Sequence, residues 1–242
     1  MTPTRDRGAR LPVEHRSSES AYIACVWRTT GARVAEEMLA IAESRWDLVF
    51  WEERGELCGS VVGPSARPRR VPIPDASETF GINFAFGTVL GQLPATRQVD
   101  GILRLPDVSR RKVRLAGTSW SLPTFDNAEA FVAGLVREEI LVRDRLVAEV
   151  HRGATTDLST RTVQRRFLSA TGLPRSVARQ IDRARNAAVR LEAGAAPAEV
   201  VAELDFYDHS HLVRALRRYL GRTPTQLRLG DHPEPLSLLY PT

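Results

Sequence analysis

Two short runs in the last third of the chain carry the side chains best suited to reading the edge of a base pair. In the first, Arg161, Gln164 and Arg165 recur at i, i+3 and i+4, one face of a helix, while Val163, Phe167 and Ala170 recur on another. Arginine can pair two N–H donors with O6 and N7 of guanine, and glutamine can bridge N6 and N7 of adenine. In the second run, His209, Ser210, His211 and Arg214 occupy the start of an amphipathic segment whose apolar stripe is Leu212, Ala215, Leu216 and Tyr219. The first turn of a recognition helix is the part that reaches bases. Thr160, Arg217 and Arg218 flank these faces and suit backbone phosphates, contacts that position a protein without reading sequence. A solvated polar face is the plain alternative for either run taken alone.

Charge is distributed to match. Residues 1–150 carry 20 Lys+Arg against 20 Asp+Glu, whereas residues 151–228 carry 14 Arg against 7 Asp+Glu. The basic excess is therefore local, and a polyanion is its natural partner. Every positive side chain except Lys112 is arginine, whose planar fork suits phosphate and guanine; a GC-rich genome would give the same bias.

Other chemistry finds little support. Cys25 and Cys58 form neither a metal-ligand spacing nor a disulfide framework, which points to a reducing compartment. His15 is the only histidine before residue 151, which argues against a histidine-cluster metal site in the first half. Asp208, His209 and His211 are close enough to be read as metal ligands, but Asp208 is better explained as a helix cap. There is no Gly-rich phosphate loop and no G-x-S-x-G, and no cofactor is expected. The opening residues lack the apolar core of a signal peptide, and no stretch approaches the roughly 18 apolar residues of a membrane span. A cytoplasmic protein with no membrane partner is expected.

The elements that must position these side chains are punctuated clearly. Ser159 can cap a helix over 160–170 that Gly172 ends, and Pro174 fits the first turn of the next, which runs to about Glu192 before Gly194. Pro197 opens a short helix over 197–204, and Asp208 caps the last, His209–Leu220, which Gly221 ends. The stripe Val177, Ile181, Ala184, Ala188 and Leu191 makes 176–192 a strut of about 25 Å, long enough to hold two recognition helices about one DNA turn apart.

At this point the residues resemble a known family. The stretches 157–173, 178–194 and 197–228 are similar to the DNA-binding domain of AraC/XylS-type regulators, with Phe206, Tyr207, Asp208, Ser210, His211, Gly221, Thr223 and Pro224 as the most specific group. The resemblance covers about residues 145–228. It implies seven helices, two helix-turn-helix units and base contacts on Arg161, Gln164, Arg165, His209, Ser210, His211 and Arg214. Two positions depart from the pattern. Asp205 stands where the family has a turn glycine, so an aspartate is expected in the left-handed region. In the first unit, residues 151–157 lengthen the joint between the scaffold helix, 145–150, and the recognition helix.

The first half reads as strands: Tyr22–Arg28, Trp46–Glu52, Leu57–Gly63, Arg69–Ile73 and Phe80–Phe86. Residues 33–43 read as a short helix, or as a strand with a helical pattern. The expected fold is α+β: a flexible N-terminus (1–18), a strand-rich, cupin-like sensor domain (19–125), an all-α DNA-binding domain (126–229) and an irregular tail (230–242). Trp46, Trp51 and Phe84 are candidates for lining an effector pocket, with simple core packing as the plainer reading. The function implied is a transcription regulator that binds double-stranded promoter DNA. Possible further partners are a small-molecule effector, a second copy of the chain and RNA polymerase. The alternatives are a non-specific architectural DNA-binding protein and an enzyme built on the N-terminal barrel.

Overall fold

The computed structural model describes residues 13–31, 35–75, 78–230 and 233–237. The strands are β1 (Val13–Arg16), β2 (Ile23–Thr30), β3 (Glu37–Ala40), β4 (Asp47–Glu53), β5 (Glu56–Val62), β6 (Arg69–Pro72), β7 (Glu78–Phe84), β8 (Thr88–Leu90), β9 (Ile102–Arg104), β10 (Lys112–Leu115), β11 (Thr118–Ser121) and β12 (Leu141–Arg143). The helices are α1 (Ala95–Gln98), α2 (Ala128–Arg137), α3 (Arg145–His151), α4 (Thr160–Thr171), α5 (Arg175–Glu192), α6 (Pro197–Glu203), α7 (His209–Leu220) and α8 (Pro224–Leu229). A strand-rich N-terminal region thus precedes an all-helical C-terminal one, the α+β class expected from the sequence.

Alternation along the strands builds the first core. Six strands pair antiparallel in the order β1-β2-β7-β4-β5-β9, an open sheet whose edges are β1 and β9. Leu48 lies opposite Ile82 and Val61, and Phe50 opposite Phe80, so one face of the sheet is apolar and buried. That face is covered by α2 through Phe131, Val132 and Leu135, and β12 pairs with β8.

Three expectations change here and one open alternative is decided. The strand-rich core continues through β12, so packing divides the chain near Asp144 rather than at 125. Residues 13–16 of the expected flexible N-terminus are a paired strand, while residues 1–12 lie outside the described residues. On β1, Arg16 grips Glu129 of α2 with two hydrogen bonds of 2.6 and 2.8 Å, which hold the Glu129 carboxyl down at about 2. The segment 33–43, read as a short helix or as a strand with a helical pattern, contains β3, paired with β6, so the second reading holds; local helix preference yields to pairing. Finally, part of the tail is ordered against β3: Leu39 N–H donates to Pro235 O at 2.8 Å, and Ser237 N–H to Leu39 O at 2.9 Å.

The helical region packs as the stripes require. Val163, Phe167 and Ala170 are buried with Val147, Val150 and Ala178. Ile181, Ala184, Ala188 and Leu191 are buried with Leu212, Leu216 and Tyr219. Phe86 enters the first of these cores, and Ile41 and Ala42 the second, so the strand-rich region packs directly on the helical one. Among the described residues, no helix is long and apolar enough to cross a membrane.

Candidate DNA interface

Each recognition helix begins at a side-chain cap and ends at a left-handed glycine. The Ser159 hydroxyl accepts from Thr162 N–H at 3.3 Å, and α4 ends at Gly172. The Asp208 carboxylate accepts from His211 N–H at 2.6 Å, and α7 ends at Gly221. Capping satisfies backbone donors that would otherwise point unpaired out of the first turn, and so fixes where each helix starts.

The first unit is α3 and α4. Asp144 caps α3 by accepting from Val147 N–H at 3.1 Å, and the same carboxylate accepts from Arg166 Nε at 2.7 Å and Nη2 at 2.8 Å. This bidentate pair ties the scaffold helix to the recognition helix. Arg161, Gln164 and Arg165 are all exposed on α4, as is Thr160 at its start. The loop from 152 to 159 stands away from the helices and leaves an open cleft of about 860 Å³. Thr160 and Gln164 line one side of it, and Arg175, Ser176 and Arg179 at the start of α5 line another. Arg175 and Arg179 were missed in the sequence, where they read only as polar positions around the stripe of α5.

The second unit is α6 and α7. Asp205 takes φ of +54°, the left-handed turn its position requires. Its carbonyl accepts from Arg183 Nη1 at 3.1 Å, and that guanidinium lies 4.8 Å from the Phe206 ring centroid. His209, Ser210 and Arg214 are exposed, and so are Arg217 and Arg218. His211 is different. It is half-buried, its Nδ1 accepts from Tyr207 N–H at 3.2 Å, and its ring meets Phe206 edge-on at 5.3 Å. This side chain closes the turn and borders the exposed face of α7. Tyr207, by contrast, is 90% exposed, more than any other large hydrophobic side chain among the described residues. The sequence placed it in the most specific group of the family resemblance but gave it no site role, although an aromatic outside the apolar period beside a cap residue was the available signal.

The suggested effector pocket is not formed by its three residues. Trp46 and Phe84 are buried in the sheet core, on the face that carries Leu48 and Phe50. Trp51 is an odd number of residues from Trp46 and lies on the opposite face, half-buried, with Arg104 5.7 Å from its ring.

Two capped helices with basic, exposed faces, joined through one shared helix, define a DNA-binding domain with paired helix-turn-helix units. The comparisons with known proteins agree for this part of the chain. Residues 153–230 match the family model of a helix-turn-helix domain, of the AraC type that the sequence resembles. The helical region is accordingly a DNA-binding domain of the kind transcription regulators carry. No curated protein sequence matches the chain. Among solved structures, ToxT from Vibrio cholerae O395 is similar over 90% of this chain and 98% of its own, at 9% identity and a TM-score of 0.38.

Proposed function

We propose that the protein recognises a specific double-stranded DNA sequence with both units, α4 and α7 entering successive major grooves on one side of the duplex. One observation carries this reading: both recognition helices pack on α5 through their apolar stripes and leave Arg161, Gln164, Arg165, His209, Ser210 and Arg214 turned outward. At 1.5 Å per residue the 18 residues of α5 span about 27 Å, comparable with the roughly 34 Å between successive major grooves. In this reading Arg161, Gln164, Arg165, His209, Ser210, His211 and Arg214 read bases, His211 while also holding its turn. Thr160, Arg217 and Arg218 take phosphates. The strand-rich region is the place for any small-molecule effector or second copy of the chain, and RNA polymerase is the further partner if the protein activates transcription.

Selection of bound sequences from a random double-stranded pool tests the proposal. Enrichment of a motif spanning two adjacent major grooves is the expected result; salt-sensitive binding with no motif would favour an architectural protein. Two substitutions separate the roles. Arg161→Ala should cost about 1–3 kcal/mol on the selected sequence and relax preference at particular bases. Arg217→Ala should weaken all sequences alike and flatten the salt dependence.

A further inference from the structure

Besides the packing of Phe86 on α3 and α4, the strand-rich region meets the DNA-binding domain at three places that hold the recognition helices. At the end of α4, a Cβ on Gly172 would stand 2.6 Å from the carbonyl oxygen of Ala95, the first residue of α1. At the end of α7, Ala42 N–H donates to Tyr219 O at 2.8 Å, and a Cβ on Gly221 would stand 2.9 Å from Leu39 Cδ2. Between them the corner Glu43–Ser44–Arg45 rests on the middle of α5.

The contacts at that corner are polar, buried and directional. The Ser44 hydroxyl donates to Asp182 Oδ1 at 3.0 Å, and His151 Nε2 of α3 lies 2.5 Å from the other carboxylate oxygen. Arg185 donates to Ala42 O at 3.1 Å and pairs with Glu43 Oε2 at 3.2 Å. Ser44 and Arg185 are each 1% exposed. His151 in turn stacks on Phe86, ring centroids 3.7 Å apart. Burial alone would raise the Asp182 carboxyl; the His151 hydrogen bond and the charge of Arg45 hold it below the ordinary carboxylate range. An apolar contact tolerates sliding, whereas a buried network of this kind is satisfied at one rotation and height of α5.

We propose that the Glu43–Ser44–Arg45 corner determines specificity: acting through Asp182 and Arg185 it fixes α5, and hence the separation of the two recognition helices, so that the protein selects the spacing between its two half-sites as well as their sequences. This rests on the reading of α4 and α7 as base readers. Each inserted base pair turns the second groove by about 35° and moves it about 3.4 Å, so a rigidly held second helix loses its bases.

The test uses full-length protein and the selected DNA site, intact or with one base pair inserted or removed between the half-sites. Unaltered protein should bind the changed spacings about tenfold or more weaker, the cost of losing bases in one half-site. Ser44→Ala and Glu43→Gln should reduce that penalty to about threefold, less than the cost of one mismatched base pair, while leaving binding to an isolated half-site unchanged. Variants that melt earlier yet keep the full penalty would make the corner a structural contact only and overturn the proposal. Unaltered protein that reads both half-sites but ignores their spacing would overturn it as well. If the unaltered protein selected no sequence, the base-reading assignment itself would fall, a result distinct from either.

Discussion

In the two helix-turn-helix units the same apolar stripes and the same exposed faces are joined in different ways. In the second unit five residues, 204–208, link α6 to α7, and every turn of that link is tied: Asp205 by Arg183, Tyr207 by His211, Asp208 by its cap. In the first unit eight residues, 152–159, link α3 to α4, and the geometry is held outside the link by Asp144 and Arg166. A recognition helix can thus be oriented by its turn or by a salt bridge between the bodies of its helices. The second solution frees the turn to grow and opens the cleft beside Gln164.

The terminal glycines give the sharpest comparison. Both sit at positive φ, +69° for Gly172 and +67° for Gly221, so any side chain costs about 1–2 kcal/mol in backbone strain. The added Cβ then meets the Val99 side chain and the Ala95 backbone carbonyl at Gly172, but only side chains, Leu39 first, at Gly221. Gly172→Ala should therefore destabilise by about 3 kcal/mol or more and Gly221→Ala by about 2 kcal/mol, read by denaturant melts. Equal costs would mean that the contact with α1 gives way as easily as Leu39. The caps come next. Asp208→Ala should cost about 1–2 kcal/mol and Ser159→Ala about 0.5–1 kcal/mol, because the first accepts at 2.6 Å and the second at 3.3 Å. A larger loss at Ser159 would place the weight of the first unit on its loop after all. The smallest effect has the opposite sign: Asp205→Gly should raise stability by about 0.5–1 kcal/mol by relieving the left-handed aspartate, and a loss would show that the Asp205 side chain contributes a contact of its own.

Where the order of residues along the chain decides the structure, the sequence was legible. Ser159, Gly172, Asp208 and Gly221 bound the recognition helices at the positions read from them, and Asp205 takes the conformation its place demanded. Partners distant in sequence were less visible. Nothing local distinguishes Asp182 and Arg185 from a solvated face, because their partners lie some 140 residues away. The apolar stripe of α2 is plain, but a stripe does not say which core it joins. At β3, helical spacing was outvoted by pairing with β6 and with residues 235–237. The opposite faces of Trp46 and Trp51 were readable from their odd separation once the strand was granted.

The pairing of residues 235–237 with β3 also bears on how the chain reaches its fold. Ser237 accepts from Ile41 N–H at 3.0 Å, and Glu234 pairs with the buried Arg222 at 3.3 Å, so a strand made early waits for a segment synthesised after every helix. Contacts between residues so far apart in sequence close slowly, because the entropy of a long loop is lost before the contact repays it. On the ribosome, the helices between them can form in order as they emerge, but the edge of β3 stays open until the last of these residues is free. An unpaired strand edge is the surface on which other chains add, so the interval between the synthesis of β3 and the arrival of residue 237 is when this protein is most exposed to misassembly.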